Sequence, residues 1–121
     1  MQKEITPSQL DRLRHLIAAG EEWRFYSWRV WRFGVAPAVL KLDRYECTRC
    51  RERGRYKRAA LVHHVRHLTE APELALSIYD PSTGARQLVS VCKRCHEELH
   101  PESLHRPPPQ IAPPVTSERG D

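Results

Sequence analysis

The sequence has no apolar run approaching the roughly 18 residues of a membrane-spanning helix, which argues against an integral membrane protein. Its first residues, Met1–Pro7, lack the apolar stretch of a secretory signal, so we expect a cytoplasmic protein whose thiols stay reduced. With 121 residues the chain has room for one small domain and only a modest core. A chain of this size with paired cysteines is expected to be stapled by disulfides or by metal.

The chain divides by composition into an N-terminal helix (1–22), a main domain (23–105) and a proline-rich tail (106–121) that we expect to be disordered. Thr6 and Gln9 form a capping box, which predicts that the first helix begins at Pro7. The spacing of the leucines after Gln9 continues that helix to Gly20.

Aromatic residues concentrate in the segment 21–42, which holds six of the nine in the chain. We interpret them mainly as one side of a small core, with base stacking beside Arg24, Arg29 and Arg32 as the alternative. Pro37 to Leu42 predicts a short helix.

Positive charge exceeds negative charge, with 20 Lys and Arg against 15 Asp and Glu, a net charge of +5 and a pI near 9.3. This balance favours a polyanionic partner, and nucleic acid first. One basic segment alternates strictly, so in an extended conformation most of its cations would share one face along a phosphate backbone. The alternative is a solvated loop. The candidate phosphate-binding residues are Arg49, Arg51, Arg53, Arg55, Lys57 and Arg58.

All four cysteines fall into two C-x-x-C pairs, Cys47 with Cys50 and Cys92 with Cys95. Four thiolates in two such pairs suit a closed, tetrahedral structural zinc site. Two disulfides are the alternative, and the expected reducing compartment favours zinc. The site would close the loop between the two pairs.

Five of the seven histidines lie in the segments 63–67 and 96–100. We predict a short strand that ends at His63 and His64, a turn at 80–84, a strand at 88–91 and a helix from 92 to 100. His96 and His100 are four residues apart and share one helix face. The candidate set is His63, His64, His96 and His100. Three of these four imidazoles would hold a divalent cation, and the fourth would take a proton from water.

The order C-x-x-C, Val62-His63-His64-Val65, then Leu88-Val89-Ser90-Val91-Cys92-x-x-Cys95-His96-x-x-x-His100 resembles the HNH endonucleases of phages and prophages. The resemblance extends over about residues 25–102 and implies an α+β fold: a ββα-metal motif with a four-cysteine zinc site and flanking helices. Residues 23–105 would then form the HNH nuclease domain. The bacterial host cytoplasm would be its location, DNA its substrate, and a terminase or other packaging protein a partner. We expect a monomer or weak dimer.

The resemblance also implies roles for single residues. His63, His96 and His100 would bind the catalytic cation, Mg²⁺, Mn²⁺, Ni²⁺ or Zn²⁺, and His64 would be the general base. One position departs from the family pattern, because Gln87 stands where an asparagine usually orients the loop that carries the base. Gln87, or else Asp80, would take that role. His67 matches no position of the pattern and is a secondary candidate for the site.

Two other functions remain as alternatives. The first is a zinc-ribbon-like DNA-binding module without catalysis. The second is a metalloprotease, because residues 96–100 also read H-E-x-x-H, with Glu97 as the base. A short pattern of this kind arises readily by chance in a chain rich in His and Glu.

Overall fold

The structure is a computed structural model that describes residues 3–99. The first helix, α1 (Pro7–Ala18), begins as its capping box predicts: the Thr6 hydroxyl accepts from Gln9 N at 3.1 Å, and Thr6 N donates to Gln9 Oε1 at 2.9 Å. Leu13 anchors the helix in the main core and has no exposed surface. Helix α1 therefore packs on the same core as the domain that follows it.

The aromatic segment folds into a 3₁₀ helix (Glu22–Ser27), a π-helical turn (Val30–Val35) and α2 (Ala36–Leu42). The expected packing holds for Phe25 and Trp31, which are buried in the core. Phe33, by contrast, is 64% exposed. The predicted short helix at Pro37 to Leu42 is confirmed as α2.

Two short strands form a small sheet. β1 (Leu61–His64) pairs antiparallel with β2 (Leu88–Val91), so that His63 lies opposite Val89 and His64 opposite Leu88. α4 (Lys93–Leu99) follows β2 after one residue. The fold is therefore α+β, with the two-strand-and-helix order that the sequence predicts.

The first part of the basic segment is helical, so the shared face of an extended chain does not form there. Residues Thr48–Glu52 form a short helix, α3, and the chain then turns at Gly54, where φ is +76°. Because a helix advances by about 100° per residue, Arg49 and Arg51 do not share the single face that an extended strand would give them. Each of the residues 51–58 is nevertheless exposed to solvent.

The middle of the segment between the strands packs inwards. It contains a 3₁₀ turn (Pro72–Leu74), and Ala75 and Leu76 have no exposed surface. The predicted turn at 80–84 is present: the Asp80 carboxylate accepts from Ser82 N at 2.9 Å, and Gly84 has φ of +76°.

A buried polar group joins α2 to β2. Asp43 ends α2, and its carboxylate accepts two bonds from Arg86, at 3.0 and 2.9 Å, and one from Ser90 N at 3.0 Å. The Arg86 guanidinium and Ser90 N–H lower the pKa of this carboxyl, although burial alone would raise it. Among residues 3–99, no helix is long and apolar enough to cross a bilayer.

Candidate functional site

The four cysteines come together from the two ends of the central motif. Their sulfur atoms all lie within 4.8 Å of one another, and all four side chains are buried. Cys50 Sγ is 3.9 Å from Cys92 Sγ and 3.7 Å from Cys95 Sγ, so the thiols are free and not oxidised in pairs. Four sulfurs bound at about 2.3 Å to one zinc ion lie about 3.8 Å apart. The cluster therefore fits a tetrahedral metal, and the disulfide alternative does not fit.

Both C-x-x-C pairs have the same local geometry. Cys50 N lies 3.4 Å from Cys47 Sγ, and Cys95 N lies 3.5 Å from Cys92 Sγ, so that each first sulfur accepts a backbone N–H at the start of a helix. Burial raises the pKa of Cys47, but the N–H groups of Cys50 and Cys92 outweigh it and lower the value to about 7. Burial and the neighbouring thiols raise the pKa of Cys95 to about 12. A bound cation is what would let all four sulfurs ionise together.

His63 and His96 approach each other across the motif. His63 is buried near the end of β1, and His96 lies in the first turns of α4, with ring centres 5.9 Å apart and planes at 74°. With a metal–nitrogen bond of about 2.1 Å, ring centres lie about 3.2 Å from an ion, so two ligand rings are at most about 6.4 Å apart. The separation of the pair lies within that limit.

A third imidazole, that of His67, lies beside His63, with ring centres 6.3 Å apart. His67 is exposed on the bend after β1. Among residues 3–99, the four cysteines are the only set of three or more potential ligands whose ligand atoms converge within 4.8 Å. The predicted ligand His100 lies outside the described residues.

His64, the predicted general base, is only 5% exposed and its surroundings fix its ring. Its Nε2 lies 2.9 Å from the carbonyl oxygen of Ala75. Because a carbonyl can only accept, Nε2 carries the hydrogen and Nδ1 carries the lone pair in the neutral ring. The indole of Trp31 stacks on the imidazole, with ring centres 4.9 Å apart and planes at 20°.

Gln87 holds the bend that follows the two histidines. It is 1% exposed, and its amide donates to Arg66 O at 2.9 Å and accepts from Arg66 N at 3.0 Å. Asp80 contacts the same residue by its side chain, at 3.5 Å from the Arg66 guanidinium. Both residues named from the sequence as orienting candidates therefore contact this bend, Gln87 through the backbone and Asp80 through an ion pair.

The candidate phosphate-binding cations are distributed around the first cysteine pair. Arg51 bonds to Glu46 at 3.2 Å and to the Asp43 carbonyl at 3.0 Å, and Arg53 lies 3.5 Å from Glu98. Arg58 lies over the ring of Tyr45, 5.7 Å from its centre. These three side chains already contact groups within the protein, so a DNA phosphate would compete with those groups for them.

Two features of the site have no local sequence signal. The stack of Trp31 on His64 joins residues from different segments, and the Asp43–Arg86 pair spans 43 positions. Co-variation between such positions would be the signal that reveals these contacts. A single sequence shows only that Asp43 is a charged residue at the end of a helix and that Trp31 is one of several neighbouring aromatic residues.

No protein-family model matches the chain, and no curated protein sequence matches it. Among solved structures, the chain is similar to the HNH endonuclease of the deep-sea thermophilic bacteriophage GVE2, crystallised with manganese ion. The two are 27% identical, with a TM-score of 0.56, over 84% of this chain and 97% of the phage protein. This likeness agrees with the resemblance seen in the sequence.

Proposed function

We propose that this chain, which has the ββα-metal fold of the HNH endonucleases, is a metal-dependent endonuclease that hydrolyses phosphodiester bonds of DNA. One observation carries the proposal: adjacent histidines on β1 form two different environments. His63 faces the His96 ring, whereas His64 is stacked and hydrogen-bonded to a carbonyl. One residue therefore suits a cation, and its neighbour suits proton transfer. The similarity to the GVE2 endonuclease supports this assignment.

His63 and His96 would hold the cation together with His100. A bound divalent cation supplies positive charge that neutralises the scissile phosphate and the leaving oxygen. Mg²⁺, Mn²⁺, Ni²⁺ and Zn²⁺ are all compatible with a site of this kind, although imidazole ligands are softer than the usual Mg²⁺ ligands. The GVE2 protein was crystallised with manganese, which makes Mn²⁺ the first ion to test.

His64 would act as the general base. Because its Nε2–H donates to Ala75 O, Nδ1 is the ring nitrogen that would accept a proton from the attacking water. The water oxygen then bonds to phosphorus while the bond from phosphorus to the 3′ oxygen breaks. The 3′ oxygen leaves as an alkoxide and takes a proton from solvent water, so the products are a 5′-phosphate and a 3′-hydroxyl. Gln87 would keep this geometry by holding the backbone of Arg66.

The test is nicking of a supercoiled plasmid with Mn²⁺, comparing wild type with His64→Ala. Loss of a general base typically lowers the rate about 10²- to 10⁴-fold. His15→Ala is the matched control, because His15 is exposed on α1 and pairs only locally with Asp11 at 3.6 Å. Equal nicking by wild type and His64→Ala would refute the assignment.

Metal binding separates the ligand histidines from the base. His63→Ala and His96→Ala should weaken Mn²⁺ binding in calorimetry, whereas His64→Ala should leave it nearly unchanged. If all three variants bind Mn²⁺ as wild type does, the imidazole site is wrong, and the zinc-ribbon-like DNA-binding module becomes the better description.

The remaining expectations belong to the same proposal. Glu97→Gln should nick DNA as wild type does, because Glu97 has no role in the nuclease, whereas a metalloprotease would lose its activity. Action in a bacterial host cytoplasm, beside a terminase or another packaging protein, follows from the resemblance to phage nucleases. Co-purification with such a protein would test the partnership.

A further inference from the structure

We propose that Trp31 is a positioning residue for His64: its indole fixes the plane of the imidazole so that Nδ1 faces the attacking water. The inference rests on the proposed function, since it assigns a task to the surroundings of the proposed base. Trp31 comes from the π-helical turn Val30–Val35, a segment that the nuclease pattern of the two strands does not include.

Three kinds of contact restrict the His64 ring. The Trp31 indole is stacked on the imidazole, with ring centres 4.9 Å apart and planes at 20°. Phe25 and Tyr26 approach edge-on, with ring centres at 6.0 and 6.2 Å. The bond from Nε2 to Ala75 O, at 2.9 Å, fixes one edge.

The hydrogen bond alone does not determine the direction of Nδ1. An imidazole held at one nitrogen can still pivot about that bond, because the side-chain torsion of histidine next to the ring has a broad energy minimum. A flat ring stacked on one face restricts this pivot, since a tilt towards that face drives the imidazole into the indole. The stack and the hydrogen bond together therefore hold the orientation of the His64 ring.

Trp31 is itself held in place, as a positioning group must be. It is 5% exposed, and its ring lies 5.2 Å from Phe25 and 5.9 Å from Tyr26. Orientation of reacting groups is a large catalytic factor, and a misplacement of about 1 Å can lower a rate about 10²-fold. Loss of the stack should thus act on the chemical step and not on DNA affinity.

The experiment compares Trp31→Leu, which removes the flat ring but keeps an apolar side chain, with Trp31→Phe, which keeps a flat ring. Single-turnover cleavage of a DNA duplex by the full chain is measured with saturating Mn²⁺. We expect Trp31→Leu to cleave about 10- to 100-fold more slowly with an unchanged KM for DNA, and Trp31→Phe to recover most of the rate. Trp28→Leu is the matched control, because Trp28 packs on the same core, 5.1 Å from Phe25.

Equal losses in Trp31→Leu and Trp28→Leu, without recovery in Trp31→Phe, would reduce Trp31 to a core residue and overturn the proposal. A wild-type rate for Trp31→Leu would overturn it as well. NMR of the wild-type protein gives a readout that survives if Trp31→Leu fails to fold: the indole ring current should shift the His64 carbon-bound ring protons upfield. Unshifted protons would contradict the stack.

These outcomes are separable from failure of the proposed function. If His64→Ala cleaves DNA like wild type, the general-base assignment fails, whatever the NMR spectrum shows. If His64→Ala is inactive while Trp31→Leu is fully active, the endonuclease assignment stands and the positioning role alone is rejected.

Discussion

Replacing Cys92 by serine removes one sulfur from a cluster that joins two distant parts of the chain. Cys50 and Cys92 are 42 positions apart, and their sulfurs lie 3.9 Å from each other. A cross-link that closes a loop of this length lowers the entropy of the unfolded chain, which corresponds to about 4 kcal/mol of stability. Because small domains are stable by only about 5–15 kcal/mol, Cys92→Ser should leave the protein largely unfolded or severely destabilised at 37 °C.

The assay measures metal content, thiols and melting temperature on the same samples. Wild type should contain one zinc ion per chain, and its melting temperature should fall steeply when a strong chelator is added under reducing conditions. Denatured wild type should show four reactive thiols after chelation, and Cys92→Ser three. Thr48→Ser is the control, since it keeps the hydroxyl that donates to Ser90 O at 3.0 Å. Wild type that melts at the same temperature with and without the chelator would refute the metal cross-link.

Three further predictions test the polar surroundings of the site. Asp43→Asn should lower stability at pH 7 by about 3 kcal/mol, because it leaves the Arg86 guanidinium without its carboxylate. Since the pKa of Asp43 is lowered on folding, its contribution is present above about pH 4 and is lost as pH falls through the folded value; acid titration of wild type should show this loss and Asp43→Asn should not. Gln87→Glu should destabilise the bend by about 1–3 kcal/mol and slow cleavage, because an ionised carboxylate cannot donate to Arg66 O, as melting and plasmid nicking would show. Arg55→Ala should reduce the slope of log affinity for DNA against log salt by about 1 in filter binding, if Arg55 contacts phosphate, whereas Arg14→Ala on α1 should not change it.

The sequence predicted the elements that carry local chemical signals. The capping box of Thr6 and Gln9 predicted the start of α1, and the two C-x-x-C pairs predicted the cysteine cluster, because each signal operates over three or four residues. Short apolar runs next to the histidines and cysteines located both strands. The order of these signals was enough to predict the ββα-metal fold.

The basic segment shows where a pattern misleads. Strict alternation from Arg49 to Lys57 is typical of an extended strand, but the N–H to sulfur bond at Cys47 caps a helix at that point. The capping geometry of the cysteine pair therefore prevailed over a charge pattern that contributes little packing energy. Charges on exposed side chains do not determine backbone conformation, since water solvates them in either state.

The departure at residue 87 changes the length of a side chain but not its chemistry. A carboxamide both donates and accepts, and Gln87 uses both functions on the backbone of one residue, at 2.9 Å to Arg66 O and 3.0 Å to Arg66 N. An asparagine in this position would offer the same pair of groups about 1.5 Å closer to its own backbone. Whether a glutamine fits therefore depends on the distance between β2 and the bend after His64, which is a property of the folded chain. A single sequence contains the amide but not that distance.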